Sequence, residues 1–146
     1  MTPQTSMAPS LRLFFGFACI SGLLSVAVSA TAAHGLHLAA QDLQALSWAV
    51  DLQRFHALAL IGLTLMGLVR GSNWLRTLAG LLFMAGTVLF SVNIELRVLH
   101  GFDALRPGAP WGGSVWMLAW LLWAVGELRP ETQTQPGAAD LPVQGD

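Results

Sequence analysis

The chain has 146 residues, of which 54% are hydrophobic and only 10% are charged, with a net charge of -1 and a mean hydropathy of +0.59. A soluble domain carries about 25% charged residues, so the composition indicates a single domain embedded in a membrane. The near-neutral charge excludes electrostatic capture of nucleic acid. The one cysteine, Cys19, excludes an intrachain disulfide and a cysteine-based zinc site.

The first predicted helix follows a polar lead-in, residues 1–10, which is expected to be disordered. Residues 13–33 carry no charge, and this run matches the roughly 20 residues that a helix needs to cross a bilayer. Small residues recur on it every four positions, at Ser21, Ser25 and Ser29, and predict a face that packs closely on another helix. A cleaved signal peptide is the alternative interpretation, although the apolar run is longer than a typical signal core.

Three further apolar runs follow, each bounded by charged residues. Residues 41–49 are amphipathic and are expected to lie at the interface or to begin the second helix. The predicted transmembrane domain covers residues 11–129, and a polar, disordered tail follows it at 130–146. The order predicts an all-α membrane protein with four transmembrane helices in an up-down bundle, spanning residues 13–33, 53–69, 77–96 and 111–127.

Four crossings place both termini on one side of the membrane. The basic residues on that side are Arg12, Arg70, Arg76 and Arg129, and those on the other side are Arg54, Arg97 and Arg106. Because basic residues are enriched in cytoplasmic segments, the termini are predicted to be cytoplasmic.

The four histidines all fall on the side opposite to the termini, and they are His34, His37, His56 and His100. Histidine titrates near neutral pH and binds metals or haem iron, so this cluster is a candidate site for an ion, a proton or a haem. The alternative is that the histidines only end helices in the hydrated interface. If a site forms, we expect His34 and His56 to face the bundle interior, with Gln53 beside His56 and Arg54 outside.

Charged residues near the same end of the bundle are candidates for ion pairs, Asp51 with Arg54 and Glu95 with Arg97. On the third span, Ser91 and Glu95 belong to a polar stripe with a spacing of four that begins at Thr87. Ionisable groups inside a membrane are expensive to bury, which makes this stripe a functional candidate, although a surface ion pair accounts for Glu95 as well.

Three tryptophans, Trp116, Trp120 and Trp123, lie on one stripe of the fourth span. They predict either packing against the small-residue face of the first span or a flat wall for a quinone, haem or lipid. The chain contains no P-loop, nucleophile elbow, HExxH or CxxC motif. No catalytic residue, metal site or cofactor is therefore assigned.

Several short segments occur in an order that resembles one protein family. They are Ala33-His34-Gly35-Leu36, Gln53-Arg54-Phe55-His56-Ala57-Leu58-Ala59-Leu60, Leu78-Ala79-Gly80-Leu81-Leu82-Phe83, Leu89-Phe90-Ser91 and Pro110-Trp111-Gly112-Gly113. The chain resembles the small bacterial inner-membrane proteins of domain of unknown function family 423, also called uncharacterised protein family 0382. Eukaryotic transmembrane protein 256 looks related.

The resemblance covers nearly everything outside the two tails. It implies four membrane helices, retention of the first one and an inner-membrane location, and it implies no activity. The recurrent polar residues of the family match His34, Gln53, His56 and Ser91. Glu95 departs from the family, because a tyrosine is usual at that position.

As to function, the sequence favours a non-enzymatic membrane protein that acts by helix association with itself or with another membrane complex. The small-residue face of the first span supports this hypothesis. The lipid bilayer is the expected environment, and nucleic acid is not a partner. The alternative is the binding or transport of an ion, a proton or a haem at the one-sided histidine cluster.

Overall fold

The computed structural model describes residues 7–34, 38–71 and 73–129, and the regular structure within these ranges is helical throughout. This confirms the all-α prediction. The elements are α1 (Pro9–His34), α2 (Ala40–Arg70), α3 (Trp74–Thr87), a π-helical turn (Val88–Val92), α4 (Asn93–His100), a short 3-10 turn (Arg106–Gly108) and α5 (Ala109–Leu128).

Three of the helical stretches are long and apolar enough to cross a membrane. They are α1 with 26 residues, α2 with 31, and the third crossing, Trp74–His100, with 27, which comprises α3, the π-turn and α4. At 1.5 Å per residue each exceeds the roughly 30 Å of bilayer hydrocarbon. Helix α5 has 20 residues and packs along the third crossing, with Gly126 against Leu75 at one end and Gly112 against Phe90 at the other. It therefore lies alongside the third crossing from Leu75 to Phe90.

The helices alternate in direction. Leu11 at the start of α1 contacts Gly67 near the end of α2, whereas Val28 packs on Leu46 and Val50 near the start of α2. The two helices are therefore antiparallel, and the contacts of α5 with the third crossing show the same relation. The result is the up-down bundle that the sequence predicts.

Two apolar clusters hold the bundle together. The larger fills the half nearer the termini and the centre, around the buried side chains of Phe14, Leu60, Leu63 and Phe83. The smaller lies at the opposite end, where Val28, Leu46 and Val50 meet. This second cluster explains why α2 begins at Ala40, well before the predicted span at residue 53: the amphipathic stretch 41–49 belongs to α2 and buries Leu46 and Ala49.

The π-turn lets the third crossing keep one face toward the bundle interior. Its buried positions recur every four residues, at Ala79, Phe83, Thr87, Ser91 and Glu95. In a regular α-helix a spacing of four drifts by about 40° per step, so this stripe would wind around the helix. The extra residue of a π-turn takes back about 100° of that drift. The interior face therefore continues from α3 into α4.

Asn93 completes the hydrogen bonding of the π-turn. Its backbone N–H donates to the carbonyl of Val88, five residues back, which leaves the Leu89 carbonyl without its usual backbone donor. The Asn93 side-chain amide donates to that Leu89 carbonyl at 3.0 Å and also to the Leu105 carbonyl at 2.6 Å. One side chain thus satisfies the turn and ties it to the loop before α5.

The structure describes only part of the two tails that the sequence predicts to be disordered. Helix α1 begins at Pro9, so the last two residues of the predicted lead-in are helical. Residues 1–6 of that lead-in and the predicted tail 130–146 lie outside the described residues.

Candidate functional site

Helix α2 and the third crossing turn a line of buried polar side chains toward each other. Because the two elements are antiparallel, positions later in α2 face positions earlier in the third crossing. The buried polar members are Gln53 and His56 on α2, and Thr87, Ser91 and Glu95 on the third crossing. We call these five residues the interior polar line. We call the end of the bundle where His34 and His100 lie the histidine-bearing end. The interior polar line lies between this end and the apolar centre of the bundle.

His56 is the member of the line farthest from the histidine-bearing end. It lies midway along α2, and only 5% of it is exposed. Its Nδ1 lies 2.7 Å from the carbonyl oxygen of Leu52. A carbonyl oxygen can only accept, so Nδ1 carries the proton, and in the neutral ring the lone pair is on Nε2. The imidazole stacks on the indole of Trp116, with the ring centroids 3.8 Å apart and the planes 8° from parallel.

Aromatic side chains complete the surroundings of His56. Phe55 stands edge-on to it with centroids 5.2 Å apart, and Phe83 lies 5.8 Å away. The Trp116 ring is itself held, because its Nε1–H donates to the Phe83 carbonyl at 3.3 Å and its face covers Gly86. These contacts fix the position of the imidazole between α2, α3 and α5.

Gln53 lies one turn before His56 on the same face of α2 and is fully buried. Neither its amide nitrogen nor its amide oxygen has a hydrogen-bond partner among the described residues. One turn earlier, the Ala49 carbonyl accepts a hydrogen bond of 2.8 Å from the Ser91 hydroxyl. Ser91 therefore joins the third crossing to α2 one turn before Gln53.

Glu95 lies one turn beyond Ser91, toward the histidine-bearing end, and is 6% exposed. Its Oε1 is buried and meets no donor within the part of the chain that the structure describes. The predicted pair with Arg97 does not form, because residues two apart lie on different sides of a helix. Arg97 lies instead 3.9 Å from Asp42 at the start of α2.

The other predicted ion pair lies at the surface. Arg54 is 3.5 Å from Asp51, and their side chains are 42% and 65% exposed. The same guanidinium donates to the Ser25 carbonyl and to the Ser29 hydroxyl of α1. Arg54 therefore joins α1 to α2 outside the interior polar line.

The remaining histidines do not reach the line. His34 is exposed at the end of α1, and His100 is exposed at the end of α4. His37 lies outside the described residues. The expectation that His34 and His56 both face the interior is therefore wrong for His34, because α1 continues past its packing against α2 and ends in the open.

The small-residue face of α1 packs within the chain. Ser21 and Ser25 are 3% and 0% exposed, and the Ser25 hydroxyl donates to the Gly22 carbonyl at 2.7 Å. Small side chains here let α2 approach α1 closely. The tryptophan stripe, in turn, packs against α2 and α3, where Trp123 contacts Gly62, and not against the small-residue face of α1.

A second polar cluster lies at the end nearer the termini and was not predicted. Arg76 is only 4% exposed, and it donates to both carboxylate oxygens of Glu127, at 2.7 and 3.0 Å. Arg70 bonds to the same carboxylate at 3.1 Å, and Asn73 donates to the Gly126 carbonyl at 3.0 Å. We call these four side chains the terminal clasp. The only sequence signal was that these residues end spans on the same side.

Metal-ligand geometry is not found in the part of the chain that the structure describes. Over residues 7–34, 38–71 and 73–129, no three side chains of His, Cys, Asp or Glu converge as metal ligands would. His56 is surrounded by rings, and the exposed His34 and His100 end different helices.

Comparisons with known proteins agree with this architecture. Residues 28–113 match the family model described as "Protein of unknown function (DUF423)". The UPF0382 inner membrane protein YgdD of Escherichia coli strain K12 is 32% identical over 120 residues, which cover 81% of this chain and 91% of that protein.

Two further relatives come from other bacteria. The UPF0382 membrane protein SAB0533 of Staphylococcus aureus is 29% identical, over 77% of this chain and 92% of its own. The UPF0382 membrane protein YwdK of Bacillus subtilis is 28% identical, over 82% of this chain and 98% of its own. No solved structure matches the chain significantly. The relation to eukaryotic transmembrane protein 256 stays a prediction.

The apolar helices and the named relatives make the chain a multi-pass inner-membrane protein. With a match over more than half of its length and relatives aligned over nearly their whole length, it belongs to the DUF423 family, whose members carry the name UPF0382.

Proposed function

We propose that this membrane protein is non-enzymatic and binds a proton inside its bundle, at Nε2 of His56, which it takes from the membrane face that carries His34 and His100. The observation that carries the proposal is the state of His56. Its Nδ1–H is committed to the Leu52 carbonyl, so Nε2 is the basic atom, and its ring lies flat on Trp116.

The surroundings of His56 suit both protonation states. The neutral imidazole packs well among aromatic rings. When Nε2 takes up a proton, the positive ring lies over the electron-rich face of the Trp116 indole, an interaction worth about 0.5–2 kcal/mol. The Leu52 carbonyl keeps its hydrogen bond in both states, so the ring need not rotate.

The interior polar line supplies the route for the proton. Glu95 lies nearest the histidine-bearing end, Ser91 lies four residues before it on the same crossing, and Gln53 lies four residues after Ala49, whose carbonyl Ser91 bonds. A carboxyl group at the entrance can donate a proton inward and recover another from the aqueous side. The line thus connects one face of the membrane with His56.

Beyond His56 the interior becomes apolar. Leu60, Leu63, Phe14 and Ala79 fill the bundle between His56 and the terminal clasp. The buried hydroxyl of Thr64 in this region donates to the Leu60 carbonyl of its own helix, at 2.8 Å. The structure therefore supports proton binding from one face, which makes the protein responsive to the pH there, in preference to proton transport across the membrane.

Association with a second copy or a membrane complex, which the sequence favours, would need another surface. On the predicted face, Ser21 and Ser25 are already buried by packing inside the bundle and are not available to a partner. This leaves the proton-binding hypothesis with the stronger support.

The test is nitrogen NMR of the purified protein, labelled with ¹⁵N-histidine, in lipid vesicles. The His56 resonance, assigned with His56→Gln, is expected to change from neutral to protonated as the pH is lowered. When the pH is lowered on one side only, it should follow the face that carries His34 and His100. His34→Gln is the control and should leave the His56 titration unchanged.

Two results would overturn the proposal. One is a His56 ring that stays neutral at every pH at which the protein remains folded. The other is a ring that follows the pH on the side of the termini. Vesicles loaded with a pH-sensitive dye are expected to lose a pH gradient no faster than vesicles without protein, because the centre of the bundle is apolar.

A further inference from the structure

We infer that Gln53 is a water-binding residue: its side-chain amide holds water inside the bundle, between Ser91 and His56. The inference rests on the proposed function, because it names the species that would carry the proton along the interior polar line. It starts from the hydrogen-bonding groups of the Gln53 side chain. The amide has two N–H donors and an oxygen with two lone pairs, and none of these has a partner among the described residues.

Such a side chain is costly to leave unsatisfied. Gln53 is 0% exposed and lies within a helix that crosses the membrane, where lipid offers no hydrogen bonds. Buried polar groups in folded proteins are nearly always bonded to protein or to ordered water. Water is therefore the partner that the chemistry of this amide calls for.

The neighbours of Gln53 are small and partly polar. Ala49 and Ala57 lie one turn before and one turn after it on α2, and both are buried. The facing side chains of Thr87 and Ser91 are also short, and their hydroxyl oxygens retain acceptor capacity, because each uses its proton on a carbonyl. A water bound to Gln53 can thus find the two to four polar partners that buried waters need.

Water at this position also closes a gap in the proton route. Gln53 and His56 are three helical residues apart, a rise of about 4.5 Å, which is longer than one hydrogen bond. An amide cannot itself be a proton store near neutral pH, whereas a water beside it can accept a proton on one side and release another to Nε2 of His56. The charge is conserved, because one proton enters the chain as one leaves it.

The experiment uses the wild-type protein labelled with ¹⁵N at glutamine and asparagine, in detergent micelles. Magnetisation transfer from water to each side-chain amide is measured. Gln53 is expected to show a direct cross-peak with water. Asn93 is the matched buried control, since it is 2% exposed and its amide donates to Leu89 and Leu105. Gln44, which is exposed, is the positive control.

A cross-peak at Gln53 and Gln44 but not at Asn93 supports the inference. Absence of a cross-peak at Gln53, with Gln44 visible, overturns it, as does an equal cross-peak at Asn93, which would mean that water reaches the interior without selection.

A variant separates the failure of this inference from that of the proposed function. Gln53→Leu removes the amide and leaves an apolar side chain that is one atom shorter. It is expected to slow proton exchange at His56 by tenfold or more, while the unshifted Asn93 amide resonance reports an intact fold. Unchanged exchange overturns the role of this water even if His56 titrates. A hydrated Gln53 beside a His56 that never titrates would keep the water site and remove the proposed function.

Discussion

At the scale of single residues, the partner decides whether a charge can be buried. Arg76 is 4% exposed because it shares two hydrogen bonds with Glu127, whereas Arg54, with one long contact to Asp51, stays partly exposed. A buried cation without such a partner is strongly destabilising. The partner of Arg76 lies 51 residues away in the sequence, so the local pattern around Arg76 indicates only a charge at the end of a span.

Ser25 gives a prediction at this scale. Its side chain is 0% exposed between α1 and α2, so Ser25→Leu forces a large group into a filled contact. Overpacking of this kind costs about 1–3 kcal/mol. We expect a lower unfolding temperature in detergent, measured by circular dichroism. Leu23→Ala is the control on the same helix, because Leu23 is 70% exposed, and it should change stability little. The opposite ranking would contradict the packing of this face against α2.

The candidate site shows the limit of residue-level prediction. The resemblance to the family identified His34, Gln53, His56 and Ser91 as a polar set, and the structure brings the last three to one interior line. The expectation that His34 lies there as well is wrong, because distance along a helix does not show where packing against the neighbour stops. Glu95 was placed on the polar stripe with Ser91, with a surface ion pair to Arg97 as the alternative, and the structure shows it buried, with no donor to its Oε1 among the described residues.

At the scale of elements, the contact of α5 with the third crossing depends on glycine. At Gly112 an added Cβ would lie 2.8 Å from the backbone nitrogen of Phe90, and at Gly86 it would lie 2.5 Å from the ring of Trp116. Close approach of backbones at small residues is a common way to associate helices where lipid supplies no hydrophobic drive. The predicted small-residue face of α1 follows the same rule as this contact of α5 with the third crossing, which was not predicted.

Two adjacent glycines of α5 test its contact with the third crossing. Gly112→Ala places a methyl group against backbone atoms that cannot move aside, so we expect it to destabilise the protein by about 1–3 kcal/mol. Gly113→Ala meets nothing within 4 Å and, by helix propensity, should be neutral or stabilising by up to about 1 kcal/mol. Thermal unfolding of both variants in one detergent makes the comparison. Equal stability of the two would show that α5 is not seated as described.

At the scale of the whole molecule, the bundle is asymmetric between its two ends. The end near the termini carries the terminal clasp, and the other end carries Glu95 and the exposed histidines. Hydropathy predicted four helices from four apolar runs, although the second and fourth predicted spans, residues 53–69 and 111–127, are shorter than the roughly 20 residues of a full crossing. The sequence left open whether residues 41–49 lie at the interface or begin the second helix, and the structure shows that they belong to α2, where they contact α1 and α4.

The orientation in the membrane follows from the same asymmetry. Arg12, Arg70, Arg76 and Arg129 lie at the end that carries the termini, whereas Arg54, Arg97 and Arg106 lie at the histidine-bearing end. The termini are therefore expected to be cytoplasmic. Reporters fused ahead of Ser10 and after Asp146 should both report the cytoplasm. Opposite sides would mean a miscounted or cleaved crossing, and two periplasmic signals would keep the fold but reverse the orientation.

The π-turn has a consequence for how the chain tolerates changes in length. Val88–Val92 already holds one residue more than a regular α-helix would need to keep the same faces aligned. A homologue that lacks one residue of this stretch would return to a regular helix, with Phe83 and Glu95 still turned inward. A deletion within α3 would rotate everything after it by about 100° and carry Glu95 out toward lipid. Evolution can therefore shorten the third crossing at the π-turn without losing its interior face.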